Sequence, residues 1–140
     1  MDIARITAGE RLAAVSGIAF LCVMFFLDWF GVSGADGGLD GWQSFGFPLD
    51  LLLFVGGLLG VGHAVLRAAG VIPGQPPAPR GKAIVGAGLV LAGLVVVRLI
   101  APPGDTDPEP GVFVALVAAL GICAGGFVAT RDHLSGRAAG

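Results

Sequence analysis

Charged residues are scarce in this 140-residue chain: Asp, Glu, Lys and Arg make up 13% of it, about half the fraction usual for a soluble domain. Tyrosine is absent, and lysine occurs only at Lys82. The two cysteines, Cys22 and Cys123, form no C-x-x-C pair, which argues against a membrane thiol oxidoreductase. We therefore expect the chain to offer little to an enzyme.

The usual catalytic and ligand-binding motifs are also missing. The chain contains no H-E-x-x-H, G-x-S-x-G or phosphate-binding loop, and no Cys/His cluster with metal-ligand spacing. Its second histidine, His133, lies in the C-terminal tail, which excludes bis-histidine haem ligation within one chain. A basic face for nucleic acid is absent as well. We predict no catalytic residue, no metal site, no cofactor and no nucleic-acid partner.

Long uncharged runs dominate the sequence, in which 55% of the residues are hydrophobic. A helix needs about 20 residues to cross the hydrocarbon core, and shorter runs are accommodated by snorkelling or by a thinner bilayer. Helices buried in a soluble bundle would show a polar stripe, which these runs lack. The sequence thus predicts an all-α membrane protein, an antiparallel four-helix transmembrane bundle, with spans at about 10–30, 48–69, 82–101 and 111–131.

The first span has an alternative interpretation as a cleaved signal peptide, because Arg5 and Arg11 precede it and small residues follow. The sequence Asp28-Trp29-Phe30 after it is not a small-residue cleavage site, and three more spans follow. We therefore expect the first span to be retained.

The connections differ in charge. Seven of the eight basic residues lie in the two tails and the second connection, whereas seven of the ten acidic residues lie in the first and third connections. The positive-inside rule assigns the basic side to the cytoplasm. We predict a plasma-membrane protein with both termini cytoplasmic, in contact with the lipid bilayer.

Each connection has its own composition. The outer loop 28–47 combines glycines with Trp29, Trp42 and Phe45, which we expect to anchor the bundle at the membrane interface; a partner-binding or pore-capping loop is the alternative. The cytoplasmic connection 70–81 is proline-rich and predicts an extended linker, with a proline-rich partner motif as the alternative. The outer connection 102–110 is an acidic, proline-containing turn.

Three charged residues fall at one depth. Asp28, Asp50 and Arg98 each lie 16 or 17 residues from the cytoplasmic basic ring, or about 25 Å at 1.5 Å per residue. Because an unpaired charge is costly there, we predict a structural ion-pair layer in which Arg98 bridges the carboxylates. The alternative is a binding site for a cation or polar solute.

His63 is the only ionisable residue deep within a run. It would usually hydrogen-bond a neighbouring helix, but it is also a possible functional intramembrane residue. A proton relay would need a second titratable group nearby, and we expect no other span to supply one at that depth. A homo-oligomer could bring several copies of His63 together.

Glycines recur at helix-packing spacing. Gly56 and Gly60 form a G-x-x-x-G pair in the second span, and Gly121 and Gly125 form another in the fourth. Glycine lets helix backbones approach closely in lipid. These residues predict close packing, either within the bundle or between protomers.

Four loop-edge motifs resemble those of small four-span membrane proteins of high-GC actinobacteria: Gly9-Glu10-Arg11, Asp28-Trp29-Phe30-Gly31, Trp42-Gln43-Ser44-Phe45 and the segment 98–104 that runs from Arg98 to Gly104. The resemblance implies fold and location, and brings no activity. Our leading hypothesis is a non-enzymatic multi-pass membrane protein that self-associates as a homo-oligomer or is an accessory subunit of a membrane complex. The alternative is a small oligomeric transporter or channel for a cation or small polar solute.

Overall fold

The computed structural model describes residues 6–32, 37–71 and 78–139, with side chains in the last segment described for 82–131. Within these residues the regular structure consists of four helices and three short strands. The elements are α1 Ala8–Phe26, β1 Asp28–Gly31, β2 Gly38–Asp40, α2 Leu49–Ala68, α3 Ala78–Ile100, β3 Asp107–Pro108 and α4 Pro110–Ala139.

All four described helices contain a segment long and apolar enough to cross a membrane. These segments are Ala8–Phe26, Leu49–Ala68, Lys82–Ile100 and Pro110–Arg131. Large apolar side chains also point outward: Val15 is 66% exposed and Val117 is 69% exposed. Water would penalise such a surface, whereas acyl chains solvate it. Length, composition and exposure together support a multi-pass membrane protein.

The helix ends follow local sequence signals. Thr7 caps α1 in a capping box with Glu10. Gly70, at φ +75°, ends α2 in a Schellman motif. In this motif Gly70 N donates to Arg67 O, and Val71 N donates to Leu66 O. The linker predicted at 70–81 extends too far along the chain, because α3 already begins at Ala78. Proline is tolerated in the first turn of a helix, where the backbone N–H has no helical partner. Residues 72–77 of that linker lie outside the described residues.

A small sheet closes one end of the molecule. β1 pairs antiparallel with both β2 and β3, in the order β2-β1-β3. The sequence predicted that the first span would continue to about residue 30, but α1 ends at Phe26 because Leu27 is extended. The polar backbone of 28–31 is then satisfied by strand pairing instead of helix bonds, and this places Trp29 and Phe30 in the core.

Small residues set how closely the helices pack. α1 packs on α2 and α4, and α3 packs on α4, whereas α2 and α3 touch only slightly. An added Cβ at Gly60 would lie 2.8 Å from the Ala13 carbonyl oxygen, and one at Gly125 would lie 2.5 Å from the Ala13 amide nitrogen. The other two glycines predicted to pack also lie against a neighbouring helix: Gly56 against Leu91, and Gly121 against Ser16.

Candidate functional site

The most unusual interior group is the carboxylate of Glu10, in the first turn of α1. Its side chain is 0% exposed. The capping box fixes its position, because the Thr7 backbone N–H donates to Oε2 at 2.8 Å and the Glu10 backbone N–H donates to the Thr7 hydroxyl at 3.3 Å. The same bonds that begin the helix therefore aim Oε1 at the neighbouring helix.

Helix α2 presents two cationic or ionisable side chains to this oxygen. His63 and Arg67 are four residues apart and so share one face of the helix. Nε2 of His63 lies 3.0 Å from Oε1 of Glu10, and Nη1 of Arg67 lies 3.4 Å from the same oxygen. The side chains of His63 and Arg67 are 11% and 7% exposed. The three residues, here termed the charged cluster, join α1 to α2.

Small residues surround the charged cluster. Gly9 precedes Glu10 and packs against Gly125 and Ala129 of α4, where an added Cβ would lie 2.6 Å from the Gly125 carbonyl oxygen. Ala64 and Ala68 of α2 are buried on the same stretch of helix. The close approach of the backbones excludes solvent from Glu10. Burial of this kind makes a paired charge tolerable and an unpaired one costly.

The charged cluster changes the interpretation of His63. The prediction that no other span supplies a titratable group at its depth is wrong, because Glu10 lies within hydrogen-bonding distance. The sequence singled out Glu10 only as part of the loop-edge motif Gly9-Glu10-Arg11. The signal that could have found it is T-x-x-E at 7–10, a capping box that makes Glu10 part of the helix.

The predicted ion-pair layer is not formed. Among the described residues, Asp28, Asp50 and Arg98 make no ion pair with one another. Asp28 is exposed at the start of β1, whereas the carboxylate of Asp50 accepts a hydrogen bond from the Gly46 backbone N–H at 3.0 Å. Asp50 and Arg98 do lie close enough for a longer-range electrostatic interaction. The Asp50 carboxylate is instead hydrogen-bonded to the loop that precedes its own helix.

Arg98 instead holds the same loop through Phe45. Its Nη2 donates to the Phe45 carbonyl oxygen at 3.4 Å, and its guanidinium carbon lies 5.1 Å from the centre of the Phe45 ring. This arrangement satisfies the cation with a carbonyl dipole and an aromatic face. Asp50 and Arg98 thus both fix the 45–50 loop, through different atoms.

The aromatic residues of the outer loop do not act alike. Trp29 was predicted to be an interface anchor, but it is fully buried: its Nε1 donates to the Val23 carbonyl oxygen at 3.0 Å, and it makes edge contacts with Phe20 and Phe45. Trp42 is 40% exposed and stacks on Phe25. The burial of Trp29 follows from β1, whose strand pairing turns this residue inward.

An apolar groove of about 160 Å³ lies where α2 and α3 separate. Its walls carry no charged residue, and Gly86 of α3 is on its lining, where an added Cβ would meet nothing within 4 Å. Gly62 of α2 and Gly93 of α3 are equally open. The groove is lined by Leu52, Val55, Gly56, Leu59, Ala83, Gly86, Ala87, Val90 and Leu91.

Metal-ligating residues are dispersed in the part of the chain that the structure describes, where no three His, Cys, Asp or Glu residues lie together. Comparisons with protein-family models, curated proteins and solved structures find no match to this chain. The resemblance to actinobacterial four-span proteins stays a prediction.

Proposed function

We propose that this protein is a non-enzymatic, multi-pass protein of the plasma membrane that associates with a second copy of itself through the face formed by α2 and α3. The observation that carries the proposal is the groove between these helices, together with the outward glycines Gly62, Gly86 and Gly93. Helices associate in lipid where small residues let backbones approach. A role as accessory subunit would use the same face for a different chain.

The contacts between helices support an antiparallel arrangement. Positions on α1 that advance along the chain meet positions on α2 that recede: Glu10 meets His63, Ala13 meets Gly60, and Gly17 meets Gly57. The α1–α4 and α3–α4 contacts run in the same sense, for instance Gly88 against Cys123 and Gly126 against Val85. We accordingly propose an up-down-up-down bundle with both termini on one side.

The distribution of basic residues supports cytoplasmic termini, although the contribution of Arg67 has to be reduced. Arg67 is buried against Glu10, so it contributes little to the positive charge at that face. Six other basic residues still belong to this side, against Arg98 at the opposite end. The positive-inside rule therefore still assigns the charged cluster to the cytoplasmic half of the membrane.

Self-association can be tested by native mass measurement in lipid nanodiscs. We expect wild-type protein to show twice the 14.0 kDa of one chain. A Cβ at Gly86 meets nothing within 4 Å, so Gly86→Leu should occupy the groove from its open side, and the variant should be folded and monomeric. Gly88→Leu is the matched control: a Cβ there would lie 2.5 Å from the Cys123 amide nitrogen, so it should destabilise the fold itself. Monomeric wild-type protein would contradict self-association.

Transport is the second candidate function, and the Glu10–His63 contact is the observation that favours it. A proton relay requires two titratable groups within hydrogen-bonding distance, and this pair supplies them at 3.0 Å. A cation or proton path would have to continue from this pair across the bundle. Reconstituted liposomes loaded with a pH-sensitive dye test this: proton flux that is lost in His63→Gln supports transport, and a wild-type rate equal to that of empty liposomes contradicts it.

A further inference from the structure

We propose that the apolar groove between α2 and α3 binds an acyl chain of an anionic phospholipid, with the phosphate of that lipid beside Lys82. The lipid occupies the face that the second copy uses, so anionic lipid regulates self-association by competition. Only this competition rests on the proposed self-association. The lipid site itself depends on the groove and on Lys82.

The walls of the groove require an apolar occupant. Its lining consists entirely of glycine, alanine, valine and leucine, around a volume of about 160 Å³. Such a space does not hold ordered water, because buried water needs polar partners. Leu59 on the α2 wall and Val90 on the α3 wall are 47% and 48% exposed, so the groove is open along its side. An acyl chain of the bilayer can therefore enter it laterally.

The groove begins next to a positive charge. Its lining on α3 starts at Ala83, and Lys82, the residue before Ala83, is exposed. From Ala83 to Leu91 the α3 wall extends about 12 Å along the helix, at 1.5 Å per residue. Lys82 also begins the apolar span Lys82–Ile100. The order along α3, a charge followed by an apolar wall, thus matches the order of headgroup and acyl chain in a phospholipid.

The charges at this end of the bundle favour an anionic headgroup. Arg11, Lys82 and Arg131 are all exposed, whereas the acidic side chain described at this end, that of Glu10, is buried in the charged cluster. Basic pockets between transmembrane helices on the cytoplasmic side are typical sites for anionic headgroups. Of the three exposed cations, Lys82 is the one beside the groove, because neither α1 nor α4 contributes to the lining.

The same charge separates the lipid from the competing occupant. Apolar walls alone do not distinguish an acyl chain from the side chains of a second copy, because acyl chains are as apolar as leucine. Two copies with the same topology place their Lys82 side chains at the same depth, where like charges repel. An anionic headgroup instead neutralises Lys82. Since this lipid binds the free face, it shifts the equilibrium towards the monomer.

Native mass spectrometry from nanodiscs tests the lipid site, with phosphatidylglycerol as the anionic lipid and phosphatidylcholine as the zwitterionic one. From an equal mixture, the wild-type monomer should retain phosphatidylglycerol in preference to phosphatidylcholine. Lys82→Gln should lower this retention about fivefold, and Lys82→Arg should keep it. Arg131→Gln is the matched control, because Arg131 is exposed at the same end but lies on α4; it should leave retention nearly unchanged. Gly86→Leu occupies the groove and should lose the lipid although Lys82 is intact.

Three results would overturn the lipid site. The first is equal retention of both lipids by the wild-type monomer. The second is an equal loss of retention in Lys82→Gln and Arg131→Gln, which would indicate a general attraction to the basic surface. The third is undiminished retention by folded Gly86→Leu, which would place the lipid outside the groove. Helical circular dichroism checks folding, and the two Lys82 variants decide the question should Gly86→Leu fail to fold.

Competition is measured in the same spectra, from the mass of the protein. In pure phosphatidylcholine the wild-type protein should be the dimer proposed above, and added phosphatidylglycerol should raise its monomer fraction more than that of Lys82→Gln. A dimer fraction that does not respond to phosphatidylglycerol would overturn the competition. Wild-type protein that is monomeric in every lipid would contradict self-association and the competition together, whereas the retention measurements would still decide the lipid site.

Discussion

The two ends of the helix bundle are stabilised by different physical means. At the sheet end, formed by β1 to β3 with Phe20, Trp29 and Phe45, large rings pack in edge-to-face contacts. At the charged end, formed by the charged cluster and its glycine and alanine neighbours, the helices are close and the interactions are ionic. Truncating a packed ring should lower the free energy of unfolding in proportion to the contacts removed. The contribution of a buried charge pair instead depends on both charges being present.

The strongest test of this difference is Glu10→Ala. It removes a buried carboxylate that contacts both His63 and Arg67, and we expect a loss of about 3–5 kcal/mol in the free energy of unfolding. The double variant Glu10→Ala/Arg67→Ala removes both charges and should recover a large part of that loss. Steric trapping in bicelles measures both values. Equal losses in the single and double variants would show that charge balance does not stabilise this end.

At the sheet end, Trp29→Phe keeps most of the ring but removes the Nε1–H that binds the Val23 carbonyl oxygen. We expect a loss of about 1–3 kcal/mol. Trp42→Phe is the matched control, because Trp42 is partly exposed and its indole makes no hydrogen bond to any of the described residues. A greater loss for Trp42→Phe than for Trp29→Phe would contradict the assignment of Trp29 as the tryptophan that stabilises this end. Chemical denaturation followed by tryptophan-independent circular dichroism gives the comparison.

Glycine substitutions sharpen the account of close helix packing at the charged end. Gly125→Ala places a methyl group 2.5 Å from the Ala13 amide nitrogen, which should cost about 1–3 kcal/mol through overpacking. In the monomeric Gly86→Leu background, Gly93→Ala meets nothing within 4 Å in its own chain and should gain about 0.5–1 kcal/mol, because alanine favours helix over glycine. Thermal unfolding in detergent separates the two. A neutral Gly125→Ala would mean that α1 and α4 are farther apart.

The smallest expected loss of stability is that of Arg98→Ala. Arg98 holds a carbonyl oxygen and an aromatic ring, so we expect a loss of about 1 kcal/mol. The ion-pair layer predicted from sequence would instead leave Asp50 as an unpaired buried carboxylate and cost about 3–5 kcal/mol. The same thermal measurement distinguishes these values. A loss in the higher range would restore Arg98 as a bridge between carboxylates.

The sequence was informative about the helices and much less so about what lies between them. Uncharged runs located all four spans, because lipid solvation requires apolar length. The sheet escaped prediction because its strands are two to four residues long and because β1 follows an apolar helix directly. Trp29 was assigned to the interface for that reason: an aromatic residue after a span usually anchors there, and strand pairing is a tertiary property.

The candidate site was likewise only partly predictable from the sequence. His63 stood out as an ionisable residue within an apolar run, which is a local signal. Its partner did not, since Glu10 stands beside Arg11 and resembles an ordinary flanking charge. Counting residues from the basic ring also placed Asp50 and Arg98 at one depth. The count could not show that the Asp50 carboxylate would bond to Gly46 and the Arg98 guanidinium to Phe45.

The central claim is that these helices cross a membrane with the charged end in the cytoplasm, and site-directed labelling tests it most directly. In a background with Cys22→Ser and Cys123→Ser, one variant carries Lys82→Cys and another carries Asp105→Cys. A membrane-impermeant maleimide applied to intact cells should label the Asp105→Cys protein at once, and the Lys82→Cys protein only after the cells are permeabilised. Equal labelling of both positions in intact cells, or labelling in the reverse order, would contradict the account.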